Sequence, residues 1–196
     1  MTVTDADDVQ HAALDEPMDD SAPSRGLAWL YVVTGAVGLL GAFVIAVEKI
    51  QTLIDPNYRP SCSINSVLSC GTIMNSPQAD TFGFPNPLIG LVGFPVVITT
   101  GVVYLCGFRP PEWFRIAFAW GTAAGVLFIH YLVVVSLYEV GALCPYCMVV
   151  WAAMIPLFVY AAVDGWRLHR LRPYRPWIVG AWYAVIAVLV LFRFVF

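Results

Sequence analysis

The chain has 196 residues, 60% of them hydrophobic and 12% charged, with a mean hydropathy of +0.76. A soluble domain carries about 25% charged residues, and too little polar surface is present here to cover a water-soluble globule. A cytosolic enzyme, a disordered chain and a collagen-like fibre are excluded. Ten Lys and Arg against thirteen Asp and Glu argue against nucleic-acid binding, which needs cations to neutralise phosphates. The class that remains is an all-α integral membrane protein of one domain.

Residues 1–25 hold seven acids (Asp5, Asp7, Asp8, Asp15, Glu16, Asp19, Asp20) and one base, Arg25. The segment is net −6, which leaves +3 for the other residues. It has no apolar periodicity, and its acidic start is unlike a signal peptide. It reads as a disordered acidic tail.

A membrane helix needs about 20 apolar residues to cross roughly 30 Å of hydrocarbon. Five stretches fit: Gly26–Val47, Pro87–Phe108, Ile116–Tyr138, Val140–Val163 and the shorter Pro176–Phe192. Arg193, near the last end, can snorkel to the interface. Trp29, Trp113, Tyr138, Trp166 and Trp177 stand near span ends, where interfacial aromatics concentrate. With the N-terminus inside, the inner bases are Arg25, Arg109, Arg115, Arg167, Arg170, Arg172 and Arg175, and the outer ones are Lys49, Arg59 and Arg193. Seven against three predicts N-in and C-out. The loop Glu48–Asn86 and Cys144 then share the outer face, where disulfide chemistry occurs.

Small residues recur in the first two spans: Gly35, Gly38 and Gly41, then Gly90 and Gly93. They read as positions where helices approach closely, and Gly90 can also make room for a ligand. His130 lies in mid-span, a functional candidate by default, although a neutral His can sit in a bundle with one hydrogen bond. Glu139 reads as interfacial. Phe82, Phe84 and Pro85 form an apolar segment ahead of the second span, suited to capping a site. Met148 and Met154 read as packing residues. Pro156 removes a hydrogen bond from the fourth span.

Four of the five cysteines fall at one membrane face, in two pairs. Cys62 and Cys70 lie in the outer loop (PSCSINSVLSC), and Cys144 and Cys147 form CPYC at the outer start of the fourth span. The unpaired N–H groups of a first helical turn stabilise a thiolate at the first Cys, and Pro145 suits the first helical position. The lowered pKa makes Cys144 a good attacking and leaving group in exchange. The loop pair can form its own disulfide, or a loop cysteine can reach Cys144. Two dithiols in series make a relay, and a membrane quinone is the natural two-electron, two-proton sink. Two other readings stay open: four cysteines can bind zinc, and the pairs can be structural disulfides in a membrane scaffold. Cys106 has no partner nearby and reads as a small packing residue.

Together these residues resemble the vitamin K epoxide reductase family in its bacterial form. The resemblance rests on Cys62 and Cys70 in the first outer loop, Asn86 in GFPNPLIG before the second span, and CPYC at 144–147. It covers roughly residues 26–166. It implies a four-helix catalytic bundle with the outer loop 48–86 around a quinone site, followed over 167–196 by a basic inner loop and a fifth helix. Cys62 would be attacked by a partner thiol, Cys70 would shuttle to Cys144, and Cys147 would pass electrons to the quinone. Asn86 would donate to a quinone carbonyl, and Ser76 would lie close to the ring. Where animal members have Tyr, four residues after the second CPYC cysteine, this chain has Trp151, whose N–H donates but cannot accept. The implied acceptor is menaquinone, with ubiquinone as the alternative. No thioredoxin-like domain follows the fifth span, so the implied partner is a separate exported DsbA-like thioredoxin-fold protein. The implied setting is the bacterial inner membrane.

Overall fold

A computed structural model describes residues 24–195. The acidic tail expected over 1–25 lies outside them apart from Ser24 and Arg25. These two start the first helix, where the Ser24 side chain accepts from Leu27 N–H at 3.2 Å, as an N-cap does. The helices are α1 (Arg25–Ile54), α2 (Cys70–Met74), α3 (Pro87–Leu105), α4 (Glu112–Val134), α5 (Pro145–Gly165) and α6 (Arg175–Val195). Short 3₁₀ turns cover Pro77–Asp80 and His169–Tyr174, and α4 runs on into a wider π turn over Val135–Val140. Among the described residues, five helices are long and apolar enough to cross a membrane. The protein is an all-helical, multi-pass membrane protein.

The observed helix ends differ from the expected bounds by a few residues, and two of the differences reach the cysteines. The first span, expected to stop at Val47 before the Glu48–Lys49 pair, continues to Ile54. Both charged side chains are buried and find partners, so the charges do not end the helix. The fourth helix starts at Pro145, not near Val140. Gly141, at φ +68°, closes the π turn in a left-handed conformation that glycine adopts without steric cost. The chain then runs extended through Cys144, whose φ is −104° and ψ 117°, before the helix begins.

Helices α1, α3, α4 and α5 form the bundle, with α1 packed on α3 and α5, and α4 packed on α5. Helices α3 and α4, although consecutive, diverge and leave a cleft. The core runs through Tyr31, Phe94, Val126, Trp151, Ile155 and Leu157. The glycine stripe of α1 works as the sequence suggests. Phe94 fills the notch at Gly38, Val97 and Ile98 close on Gly35, and Val150 closes on Gly41. Gly93 does not pack: a Cβ there would meet nothing within 4 Å.

Helix α6 lies along the outside, with no fully buried residue. Polar contacts fasten it. Trp182 Nε1 donates to His130 Nε2 at 2.9 Å, Tyr183 OH donates to Ala152 O at 2.5 Å, and Arg193 Nε donates to Leu137 O at 2.8 Å. His130 Nδ1 lies 2.7 Å from Val126 O. With Nε2 accepting, Nδ1 donates to that carbonyl, and both nitrogens are engaged. His130 is thereby a clasp for α6.

Among the described glycines the tightest approach to a neighbouring backbone is at Gly165, where a Cβ would come 2.5 Å from Arg115 O and 2.7 Å from Ala119 Cβ. The obstacle is backbone and cannot rotate away. Gly165→Val should lower stability by about 1–3 kcal/mol in thermal unfolding in detergent. Gly180→Ala, with open space around it, should not lower it; equal losses would show that Gly165 is not a packing contact.

Candidate active site

The loop pair is brought to the CPYC helix by main-chain hydrogen bonds. Leu143 N–H donates to Val67 O at 2.7 Å, and Ser69 N–H donates to Leu143 O at 3.0 Å, a parallel bridge at Leu68 and Leu143. The loop is shaped for it. Asn65 Oδ1 accepts from the N–H groups of Val67 and Leu68 at 2.9 and 2.7 Å, a local turn that Asn favours. Ser69 caps α2 by accepting from Thr72 N–H, and Ser63 Oγ accepts from Gly71 N–H at 3.1 Å. Cys70 follows the bridge on one side and Cys144 on the other.

Cys62 and Cys70 form a disulfide, and Cys144 and Cys147 are free thiols. Cys70 Sγ lies 2.9 Å from Cys144 Sγ. Cys62, Cys70 and Cys144 are buried together with Ile45 and Met74 in a small cluster of their own. The three sulfurs lie within 4.8 Å of one another, but two of them are joined to each other. A disulfide sulfur is not a thiolate ligand, so the zinc reading lacks its ligand set. Cys144 caps α5, accepting from Cys147 N–H at 3.5 Å. The Cys147 thiol, donating to Cys144, holds the Cys144 pKa below its ordinary value, and the N–H groups of Cys147 and Tyr146 add to this against the opposing effect of burial.

Beneath the cysteines lies a cavity of about 800 Å³, overwhelmingly apolar. Its wall includes Cys144 and Cys147 and each of the other residues assigned to it from sequence: Asn86, Ser76 and Trp151. Their side chains are not equally available. Asn86 Nδ2 donates to Gln78 O at 2.7 Å, with Thr81 Oγ1 at 3.4 Å, and Asn86 Oδ1 accepts from Thr81 N–H at 3.2 Å. The amide thus pins the Pro77–Asp80 turn over the cavity. Ser76 Oγ donates to Ile73 O at 2.7 Å. The Trp151 indole is buried, and its N–H makes no hydrogen bond among the described residues. Of Phe82, Phe84 and Pro85, Phe82 joins the wall, and it packs on Phe84 and Phe128. Gly90 and Gly93 line it.

Several residues stand elsewhere. Cys106, read as a packing residue, is exposed at the C-cap of α3, where the helix end turns its side chain away from the bundle. His130 is not in the cavity wall. Met154 is buried against Gly125, whereas Met148 is exposed. Glu139 is exposed and accepts from Gln78 Nε2 at 2.7 Å.

Sequence reasoning missed two residues at the site. Glu48 accepts from Tyr58 OH at 3.0 Å and from Ser61 Oγ at 2.6 Å, and Ser61 Oγ lies 3.3 Å from Tyr146 OH. This ties α1 to the residue before Cys62 and to the CPYC turn. Lys49 lines the cavity, donating to Met74 O at 2.6 Å and to Asp80 Oδ2 at 3.1 Å. The only signal in the sequence is an acid–base pair directly after an uncharged span, which reads equally well as a helix end.

A disulfide in contact with a thiol of lowered pKa, at one end of a membrane bundle, has the parts for thiol–disulfide exchange. No curated protein matches the chain. The sequence model of the Vitamin K epoxide reductase family matches residues 29–162, more than half of the chain and all four bundle helices but for a few terminal residues. Vitamin K is itself a quinone, and the family is quinone-linked. The match extends from α1 through both cysteine pairs to the end of α5, and with the membrane-spanning fold and the exchange geometry it makes this chain a member of the vitamin K epoxide reductase family, a membrane thiol-disulfide oxidoreductase.

Proposed function

We propose that the protein reoxidises an exported DsbA-like thioredoxin-fold partner and passes two electrons through its two cysteine pairs to a membrane quinone, supporting disulfide formation. The unit that does this is residues 26–166. The observation that carries the reading is Cys70 Sγ at 2.9 Å from Cys144 Sγ, with Cys144 and Cys147 in the wall of the apolar cavity.

The partner's thiolate attacks Cys62 Sγ, and Cys70 leaves as the thiolate. The partner's second thiol then displaces Cys62, so the partner carries away a disulfide and the loop pair is left as a dithiol. Cys70 attacks Cys144 of an oxidised Cys144–Cys147 pair, releasing Cys147. Cys62 closes on Cys70 and releases Cys144. The observed arrangement, loop pair oxidised and CPYC pair reduced, is the state after this transfer. Exchange is reversible, so the 2.9 Å contact serves both directions. The lowered Cys144 pKa makes it the better leaving thiol in the forward step.

A bound quinone supplies the two-electron sink. The chain's residues suit such a head group: Cys147 faces the cavity, Trp151 offers an unengaged N–H, and Asn86 can donate by giving up its long contact to Thr81. The cleft between α3 and α4, lined by Gly93 and Gly121, is open enough for an isoprenoid tail. Menaquinone is the proposed acceptor. The clustered Arg167, Arg170, Arg172 and Arg175 support an inner location for that end of the bundle and a place for the cysteines at the outer face of a bacterial cell membrane.

Purified protein mixed anaerobically with a reduced thioredoxin-fold oxidase and a panel of quinones should reduce one of them. Cys144→Ala should abolish the reaction, and Cys106→Ala should leave it nearly intact. Native rates in Cys144→Ala would end the relay reading in favour of stability-only disulfides.

The pH dependence follows from the same contact. Cys147→Ala removes the main donor to Cys144, so the Cys144 pKa should rise. In a Cys106→Ala background, thiolate ultraviolet absorbance should then appear at higher pH, and exchange at neutral pH should slow and recover in alkali. An unmoved first inflection would mean that the helix start alone sets the thiolate.

A further inference from the structure

The relay described above leaves a buried ammonium without a role. Lys49 is 5% exposed and forms an ion pair with Asp80 at 3.1 Å. Burying charge is costly, and replacement by apolar residues is often neutral or stabilising. A buried cation among the few polar groups in the wall of an apolar cavity is therefore a candidate for chemistry. Its surroundings suggest which. An ammonium has three N–H donors; Lys49 makes two hydrogen bonds among the described residues, to Met74 O and Asp80 Oδ2. Its cavity neighbours include Cys144, Cys147, Ser76 and Asn86. The Asp80 side chain is 40% exposed, yet its second oxygen, Oδ1, is buried with no partner. The pair thus runs from partly exposed carboxylate to buried ammonium to cavity.

We propose that Lys49 is the proton donor of the cavity, delivering a proton to the acceptor's oxygen and being recharged from solvent through Asp80. This rests on the reading of the cavity as a quinone site. Dithiol oxidation shows why such a group is needed. With Cys144 as thiolate and Cys147 as thiol, the sulfurs give up two electrons and form one S–S bond but supply only one proton. Two O–H bonds form on the acceptor. One uses the Cys147 proton and the other a proton from Lys49 Nζ. Asp80 then returns a proton from solvent to Lys49, which restores the starting charge. The neighbouring Glu48 faces Tyr58 and Ser61 instead, so it does not compete for this role.

The test separates the two half-reactions in the full-length protein. In the first, dithiothreitol reduces the oxidised protein without quinone, and thiol trapping follows the Cys144–Cys147 pair. In the second, pre-reduced protein meets a short-chain naphthoquinone or benzoquinone anaerobically. Quinone affinity is read separately by quenching of tryptophan fluorescence. Lys49→Met should slow the second half-reaction about 10²-fold, the lower end for general-acid catalysis. The first half-reaction should stay close to native, so that at saturating quinone the loss falls on the second alone. Lys49→Arg keeps the charge but holds its proton too tightly to give it up, so it should not restore the rate. Asp80→Asn should slow the second half-reaction without removing the ammonium. If Lys49→Met slows both halves alike, Lys49 only holds Met74 and the helix that carries Cys70, and the proposal fails. If the second half is unaffected in Lys49→Met, it fails outright. If native pre-reduced protein reduces neither quinone, the acceptor reading itself falls, and this inference with it.

Discussion

Leu143 N–H bonds to Val67 O, and Ser69 N–H bonds to Leu143 O. These two main-chain bonds set the backbone leading into Cys70 beside the backbone leading into Cys144. Everything chemical in the site follows from that register. Sulfur exchange needs the attacking atom close to the disulfide, and a loop free to wander would lose most of its encounters to conformational entropy. The bridge reduces the search to a small local motion. It is short, however: the loop can still detach, as it must if Cys62 is to meet a partner. Glu48 limits that freedom at the other end of the loop, gripping Tyr58 and Ser61 next to Cys62.

The helix start supplies the second half of the chemistry. Cys144 is extended and caps α5, so its sulfur meets the open N–H groups of the first turn. Pro145 fits there because it has no N–H to leave unpaired. The sequence Gly-Ala-Leu-Cys-Pro is therefore local instruction: a left-handed stop at Gly141, Ala142 bonded back to Ser136 O, Leu143 making the bridge, then a cap and a helix start. One turn into α5, Cys147 stands in the cavity wall. The same few residues connect the polar exchange site to an apolar chamber.

Most of the architecture was legible because a bilayer imposes a coarse rule. Long uncharged runs had to be helices, and four cysteines at the ends of such runs had to share a face if the topology was right. Asn86, Ser76 and Trp151 also reached the cavity wall. What was not legible depended on contacts distant in sequence. Cys106 looked like packing material because nothing in the sequence reveals that the chain leaves the bundle at the C-cap of α3, two residues after the buried Tyr104. Gly93 looked like a helix contact, but α3 and α4 diverge beside it. His130 could be read from sequence as a functional group or as a hydrogen-bonded packing residue, and the partner that decides, Trp182, lies 52 positions later.

The most instructive gap is the Glu48–Lys49 pair. Charges at the end of an apolar run normally mark where a helix meets water, and the rule is sound for exposed side chains. Here α1 continues for another turn and a half, and adjacent residues project about 100° apart around it. That angle sends two neighbouring charges to different environments. Glu48 meets the loop hydroxyls on the disulfide side, and Lys49 meets Met74, Asp80 and the cavity on the other. Each charge is stabilised by a partner from the segment between Asp55 and Asp80, so the loop and the helix extension are interdependent. Without the loop, Glu48 and Lys49 would be unpaired charges at an apolar boundary; without the extension, neither end of the loop would be anchored to the bundle by α1. A hydropathy profile sees one residue at a time and cannot register that dependence.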